Sequence, residues 1–230
     1  MASSSVHLTE EFTSPPNYTF PHHRLSTVVR NPDKIPIVLV ACGSFSPVTY
    51  LHLRMFEMAK DYVRQNTDFE ILGGYLSPVS DMYKKPGLLS ARHRWVFALA
   101  RGILAFRICI RCSPVLGHST FHLFSHTLIK CDLFFLVRVT MCTLAAEDSD
   151  TWLMVDHWEA FQSYQRTAIV LDHFDHEINT VLGGAHTADG EHRRVRIMLL
   201  AGSDLIGTMS EPGVWSYSDV CPPRFILANA

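Results

Sequence analysis

The chain has 230 residues, of which 47% are hydrophobic and 18% are charged, so it can bury a substantial core and does not have the composition of a disordered protein. A formal net charge of -2 excludes a large basic surface, and we expect no non-specific binding to nucleic acid. No run reaches the roughly 18 apolar residues that a membrane-spanning helix needs, and six cysteines without a secretory leader indicate a reducing compartment. We therefore predict a soluble intracellular protein without a membrane partner, located in the cytoplasm, the nucleus or both.

Residues 1–34 are rich in Ser, Thr, Pro and His and show no sustained hydrophobic period. This composition predicts a disordered leader. We expect a single α/β domain over residues 35–221 and a tail over residues 222–230.

A continuous apolar run from Pro36 to Ala41 predicts a buried strand, and a helix is expected over Met55–Val63. The turn between them begins at Gly43, where the absence of a Cβ lets a ligand approach the backbone. Free N–H groups at the start of the next helix attract anions, and His52 could add a donor. An ordinary strand, turn and helix with a half-buried histidine fits the spacing equally well.

A second strand is predicted over Phe69–Leu76, and a helical connection of this length implies parallel pairing with the first strand. The carboxyl ends of parallel strands lie at one edge of a sheet, where ligands bind. The loop 77–87 should therefore face the turn at Gly43. Its Tyr83, Lys84 and Lys85 supply an aromatic face and two charges suited to a phosphate, although a solvated surface loop is the alternative.

The segment from about 95 to 138 differs from the rest of the chain, because Asp132 is its only acidic residue. Removing it joins Arg94 to Val139 and restores one continuous helix, so we interpret the segment as a foreign insertion within the domain. Its cysteines and histidines include an acceptable zinc spacing, Cys109, Cys112, His126 and Cys131. No turn or helix signal frames these residues, and we predict that the chain has no metal ligands.

Two further strands are expected, Trp152–Val155 and Val195–Ala201, with a helix after the first of them and a polar loop over His186–Arg194. Tyr164 and Thr167 fall near the start of the helix, and core or surface packing is the alternative to a binding role for Tyr164. Asp204 follows the last strand and can accept bonds from a ribose or cap the next helix.

Four motifs resemble, in order, those of the eukaryotic nicotinamide/nicotinate mononucleotide adenylyltransferases: Gly43-Ser44-Phe45-Ser46-Pro47 with Thr49-x-x-His52, Ser77-Pro78-Val79 with Tyr83-Lys84-Lys85, Val155-Asp156-x-Trp158-Glu159, and Gly202-x-Asp204 with Pro212-x-x-Trp215. The resemblance implies an α/β fold with the Rossmann-like parallel sheet of the nucleotidyltransferase superfamily. After Ser218 nothing matches the family's Ile-Ser-Ser-Thr-x-x-Arg motif, which holds the phosphates of ATP. The sheet is therefore expected to be incomplete at the C-terminal end, and the chain to be truncated there.

The reaction that the resemblance implies is transfer of AMP from ATP to nicotinamide or nicotinate mononucleotide, which gives NAD or its deamido form and pyrophosphate. Mg²⁺ would arrive with ATP, and the oligomeric state stays open. His52 is the implied catalytic residue, and the implied contacts to ATP or phosphate are Gly43, Ser44, Phe45, His52 and Lys85. The implied contacts to the mononucleotide or NAD are Tyr83, Lys85, Tyr164, Thr167, Gly202, Asp204, Val214 and Trp215. The alternative is an inactive nucleotide-binding remnant that lacks the motif for holding the phosphates of ATP.

Overall fold

A computed structural model describes residues 18–80, 129–149, 152–216, 219 and 225–227, with only the backbone described for 129–137, 149 and 225–227. Its centre is a five-stranded parallel sheet in the order β4-β3-β2-β7-β8. These strands are β2 Ile35–Gly43, β3 Phe69–Pro78, β4 Leu153–Val155, β7 Arg196–Ala201 and β8 Phe225–Leu227. The predicted α/β fold with a Rossmann-like parallel sheet is confirmed.

Helices pack on both faces of the sheet: α1 Tyr50–Asn66 and α2 Ile129–Ser149 on one face, and α3 Thr167–Asp175 on the other. Side chains alternate along β2 because successive residues of a strand point to opposite faces. Ile37 and Leu39 belong to the core beneath α1, whereas Val38 and Val40 belong to the core beneath α3. Both faces of β2 are thus buried, which explains its continuous apolar sequence.

The remaining elements are short. They comprise a 3-10 turn Glu159–Phe161, a π-helical turn His176–Val181, helix α4 Ser203–Gly207 and a second 3-10 turn Thr208–Ser210. A second sheet has the order β1-β5-β6, formed by β1 Val28–Val29, β5 Ala185–Thr187 and β6 His192–Arg193. The expectation of a polar loop over His186–Arg194 was wrong, because backbone pairing with β1 makes part of this stretch a strand.

Residues 18–34 are packed, which corrects the expectation of a disordered leader for this part of it; residues 1–17 lie outside the described residues. Phe20 and Val29 are buried, and the Arg24 guanidinium donates to the carbonyls of Ala146 and Leu153, each at 2.9 Å. This packing was not predictable from the sequence, because the apolar residues of the segment are too widely spaced to show a period. The segment packs on the helices and strands of the domain, and its own regular structure is limited to the two-residue strand β1.

Helix α2 continues without a break through Arg138, so the boundary drawn at residue 138 is not a boundary of the structure. Arg138, Cys142 and Ala146 are all buried. Their spacing of four residues places them on one face of the helix, the face that packs on the sheet. The part of the proposed insertion at 95–128 lies outside the described residues.

Within the described ranges, the helices lack the length and apolar character that crossing a membrane requires.

Phe20→Ala should lower the free energy of unfolding by about 3 kcal/mol, because it empties a packed site between Tyr75 and Phe174. Urea denaturation measures the change. Tyr62→Ala is the matched control, since Tyr62 is an exposed aromatic residue on α1 and should cost under about 0.5 kcal/mol. Equal small losses in both variants would show that residues 18–34 do not contribute to the core.

Candidate active site

The predicted site residues that the structure describes follow the carboxyl ends of β2, β4 and β7. Strand order reverses at β2, since the chain passes from β2 to β3 and β4 on one side and then to β7 on the other. Such a reversal opens a crevice at the carboxyl edge of a parallel sheet. The turn after β2 and the turn after β7 form the two sides of this crevice.

The turn over residues 43–49, here called the phosphate turn after the role that the sequence predicts for it, is shaped by the ring of Phe45. Phe45 is 3% exposed and has a φ of 38°, in the left-handed region that residues with a side chain rarely adopt. Its ring folds back over Gly43, where an added Cβ would lie 3.1 Å from Cζ of the ring. The close contact with the Phe45 ring therefore disfavours a side chain at position 43, and the approach of a ligand to this glycine stays a prediction.

His52 lies in the first turn of α1 and completes a capping box with Thr49. The backbone N–H of Thr49 donates to Nδ1 of His52 at 3.0 Å, and the Thr49 hydroxyl lies 2.7 Å from the same nitrogen. Since Nδ1 accepts a bond, the ring proton of the neutral imidazole is on Nε2. Burial lowers the pKa of His52, which favours this neutral form, although the negative charge of Asp204 opposes the shift.

Asp204 lies in the first turn of α4, after Gly202 as the N-cap residue. A Cβ added to Gly202 would lie 3.1 Å from Oδ1 of Asp204, so the carboxylate folds back towards the turn. Its charge acts on His52 from the opposite side of the crevice. The structure thus brings together the first and last motifs, which are about 150 residues apart in the sequence.

Tyr164 and Val214 are largely exposed, at 55% and 45%. Trp215 is half-buried, and its indole N–H donates to the Thr208 hydroxyl at 2.9 Å, which fixes the ring. Thr167 is the first residue of α3.

An ion pair connects the segments that carry Thr167 and Trp215. Arg166 bonds to the Asp219 carboxylate, which also accepts from the backbone N–H of Ser216 at 2.8 Å. Burial alone would raise the pKa of Asp219, but the Ser216 bonds and the Arg166 charge lower it below its usual range. Tyr83 and Lys85 lie outside the described residues.

Sequence reasoning missed a group of buried polar residues beneath the crevice. The Tyr18 hydroxyl donates to Asp156 at 3.0 Å and lies 2.9 Å from Nε2 of His173. The His173 ring stacks on Trp158, with ring centroids 4.1 Å apart. Asp156 and Trp158 belong to the third motif, and these contacts make them part of the support beneath the site. The one sequence signal for this group was the run of polar residues directly after the buried strand β4.

Glu159 is another buried polar residue beneath the crevice. Its side chain is 4% exposed, and its carboxyl group accepts a 2.6 Å bond from the Ser77 hydroxyl. Burial raises the pKa of Glu159 to about 8; Asp156 adds to this shift, whereas Ser77 and Arg138 oppose it.

The described residues contain no group of three or more His, Cys, Asp or Glu side chains arranged to hold a metal ion. Of the zinc candidates, Cys109, Cys112 and His126 lie outside the described residues, and only the backbone of Cys131 is described, in α2. The absence of a zinc site there stays a prediction.

No model of a protein family matches the chain. Comparison with characterised proteins gives strong similarity to enzymes named nicotinamide/nicotinic acid mononucleotide adenylyltransferase. The chain is 48% identical to enzyme 2 of Saccharomyces cerevisiae over 93% of its own length and 42% of that protein. It is 47% identical to the Schizosaccharomyces pombe enzyme (88% of the chain, 44% of that protein) and 37% identical to the Arabidopsis thaliana enzyme (85% and 60%). The chain thus spans less than half the length of these two yeast relatives.

Glu159→Gln should reduce the pH dependence of stability. With a pKa of about 8 when folded and about 4.3 when unfolded, Glu159 holds more proton in the folded state between these values. The free energy of unfolding therefore falls as the pH rises from about 5 to about 8. Glutamine still accepts from Ser77 and has no proton to lose in this range.

Urea denaturation at several pH values measures the slope, and Glu211→Gln, at an exposed position, is the matched control. The decline with pH should persist in the control and be weaker in Glu159→Gln. Identical slopes in all three proteins would contradict the assignment.

Proposed function

We propose that this chain, a homologue of the eukaryotic nicotinamide/nicotinic acid mononucleotide adenylyltransferases, catalyses transfer of AMP from ATP to nicotinamide or nicotinic acid mononucleotide. An oxygen of the mononucleotide 5′-phosphate attacks the α-phosphorus of ATP in line. The new P–O bond forms as the bond to the β-phosphate oxygen breaks, and pyrophosphate leaves. The products are NAD, or its deamido form, and pyrophosphate.

The observation that carries the proposal is the phosphate turn with His52 held at its end. Phosphoryl-type transfer needs no protein nucleophile, and the protein acts mainly by positioning and by stabilising charge. Because Thr49 engages Nδ1, the Nε2–H of His52 is the donor left for a phosphate oxygen. Such a bond strengthens as negative charge builds up in the transition state, and it costs nothing in reorganisation because the ring is already fixed.

The mononucleotide would bind on the side of the crevice formed by the segments after β4 and β7. Trp215 and Tyr164 offer aromatic faces to the pyridine ring, and Asp204 offers acceptors to the ribose hydroxyls. The Arg166–Asp219 pair supports this assignment, since it joins the segments from which the groups come. Gly202 leaves room for the Asp204 carboxylate, whose Oδ1 would lie only 3.1 Å from a Cβ at this position.

We propose that Mg²⁺ binds together with ATP. In phosphoryl transfer Mg²⁺ neutralises charge on the phosphates, and the nucleotide itself supplies most of its ligands. Asp204 is the described carboxylate best placed to orient a metal-bound phosphate, because its charge acts across the crevice on His52. Both substrates are intracellular nucleotides, so the proposed location is the cytoplasm, the nucleus or both.

His52→Ala should lower the rate of NAD formation by about 10²–10³ while sparing the fold, because it removes a donor to the developing charge. The assay follows NAD formed from ATP and nicotinamide mononucleotide. It is run on the chain itself and on a version without residues 95–138 that carries the C-terminal part of a yeast relative. His23→Ala is the control, since His23 is an exposed histidine that is not among the predicted site residues.

If the rate of NAD formation by His52→Ala stays within about threefold of that of the parent protein, His52 has a purely structural role. Absence of NAD formation in both parent proteins would overturn the proposed activity. Binding of the mononucleotide by such an inactive chain would then identify it as a nucleotide-binding remnant.

A further inference from the structure

Arg138 is the largest fully buried side chain among the described residues, with 2% exposure. Arginine is almost never buried to this extent unless its charge and donors are engaged, because removing the guanidinium from water is costly. Arg138 lies on the face of α2 that packs on the sheet, below the carboxyl edge. A buried cation at this place requires a role that core packing does not provide.

The guanidinium joins the two loops that begin the crevice. Nη1 donates to the carbonyl of Ser44 at 2.8 Å, and Nη2 donates to the carbonyl of Val79 at 2.7 Å. Ser44 belongs to the phosphate turn after β2, and Val79 follows the neighbouring strand β3. A planar fork of donors suits two acceptors held at a fixed separation, and a lysine ammonium cannot reproduce it.

Two further bonds show that this connection is part of a built support. The backbone N–H of Val79 donates to the carbonyl of Gly43 at 3.0 Å, so the same two loops are also joined directly. The Ser77 hydroxyl, one residue before the end of β3, donates to Glu159, whose carboxylate feels the positive charge of Arg138. The phosphate turn is thus held from below through Arg138 and from the side through Val79.

We propose that Arg138 is a positioning residue for the phosphate turn. By holding the Ser44 carbonyl it fixes the backbone of the phosphate turn, and its permanent positive charge lies beneath that turn. Arg138 touches no substrate and acts through the backbone of the turn. The identity of the anion as a nucleotide phosphate rests on the proposed function, whereas the positioning of the turn does not.

The test uses Arg138→Lys, which keeps the charge and loses the fork, and Arg138→Met, which keeps much of the volume and loses both. Cys142→Ala is the matched control, because Cys142 lies one turn further along the same buried face of α2 and contributes packing alone. Hydrogen–deuterium exchange of the unliganded full chain reports on the turn. Calorimetric titration with ATP and with nicotinamide mononucleotide reports on phosphate binding, and thermal denaturation shows that each variant is folded.

Both Arg138 variants should accelerate exchange in the peptide covering residues 43–52 by about tenfold, the effect of losing one charge-assisted hydrogen bond. Both should also weaken ATP binding, Arg138→Met more than Arg138→Lys. Cys142→Ala should lower the melting temperature without either effect.

Unchanged exchange in a folded Arg138→Lys chain would overturn the proposal whatever the activity, and so would equal effects in Cys142→Ala. If Arg138→Met does not fold, the lysine variant alone decides the question. A parent chain that binds neither nucleotide, but whose turn loosens in Arg138→Lys, would refute the proposed function and support the positioning role.

Discussion

The parallel pairing of β2 with β3 on one side and with β7 on the other is the constraint on which the site depends. Parallel strands end at the same edge, so this pairing alone brings residues 43–49 next to residues 202–204. Both faces of β2 are covered by helices, which fixes its register because a slip of one residue would exchange its two cores. Hydrophobic burial far below the crevice therefore sets the geometry at its rim.

The packed residues 18–34 join both faces of the domain to the site. Phe20 lies in the core beneath α3, Arg24 bonds to carbonyls at the ends of α2 and β4, and Tyr18 reaches Asp156 beneath the crevice. The Tyr18 hydroxyl and the backbone N–H of Trp158 both donate to Oδ1 of the buried Asp156 carboxylate. A segment with little secondary structure thus satisfies polar groups that the strands and helices leave open.

The strands and helices near the motifs could be predicted because each has a clear hydrophobic pattern: the continuous run of β2 and the helical period of α1. The turn between β2 and α1 was also predictable, since Gly43 and the Thr49-x-x-His52 spacing are local features. Contacts between distant residues were not. No local pattern shows that Tyr18 pairs with Asp156. Nor does any show that parts of His186–Arg194 form strands, one of them paired with β1. These features depend on the assembled fold, and sequence periodicity does not describe it.

The position of Arg138 also could not be predicted from the sequence, because residues 94 and 138 are both arginine. Removing residues 95–138 or residues 94–137 gives the same shortened chain, so the sequence alone cannot decide which arginine belongs to the domain. The structure places Arg138 in α2, in line with buried Cys142 and Ala146 and bonded to Ser44 and Val79. Either removal leaves one arginine directly before Val139, at the position from which the guanidinium reaches both loops. The support beneath the phosphate turn is therefore encoded by the domain itself, independently of the segment that precedes it.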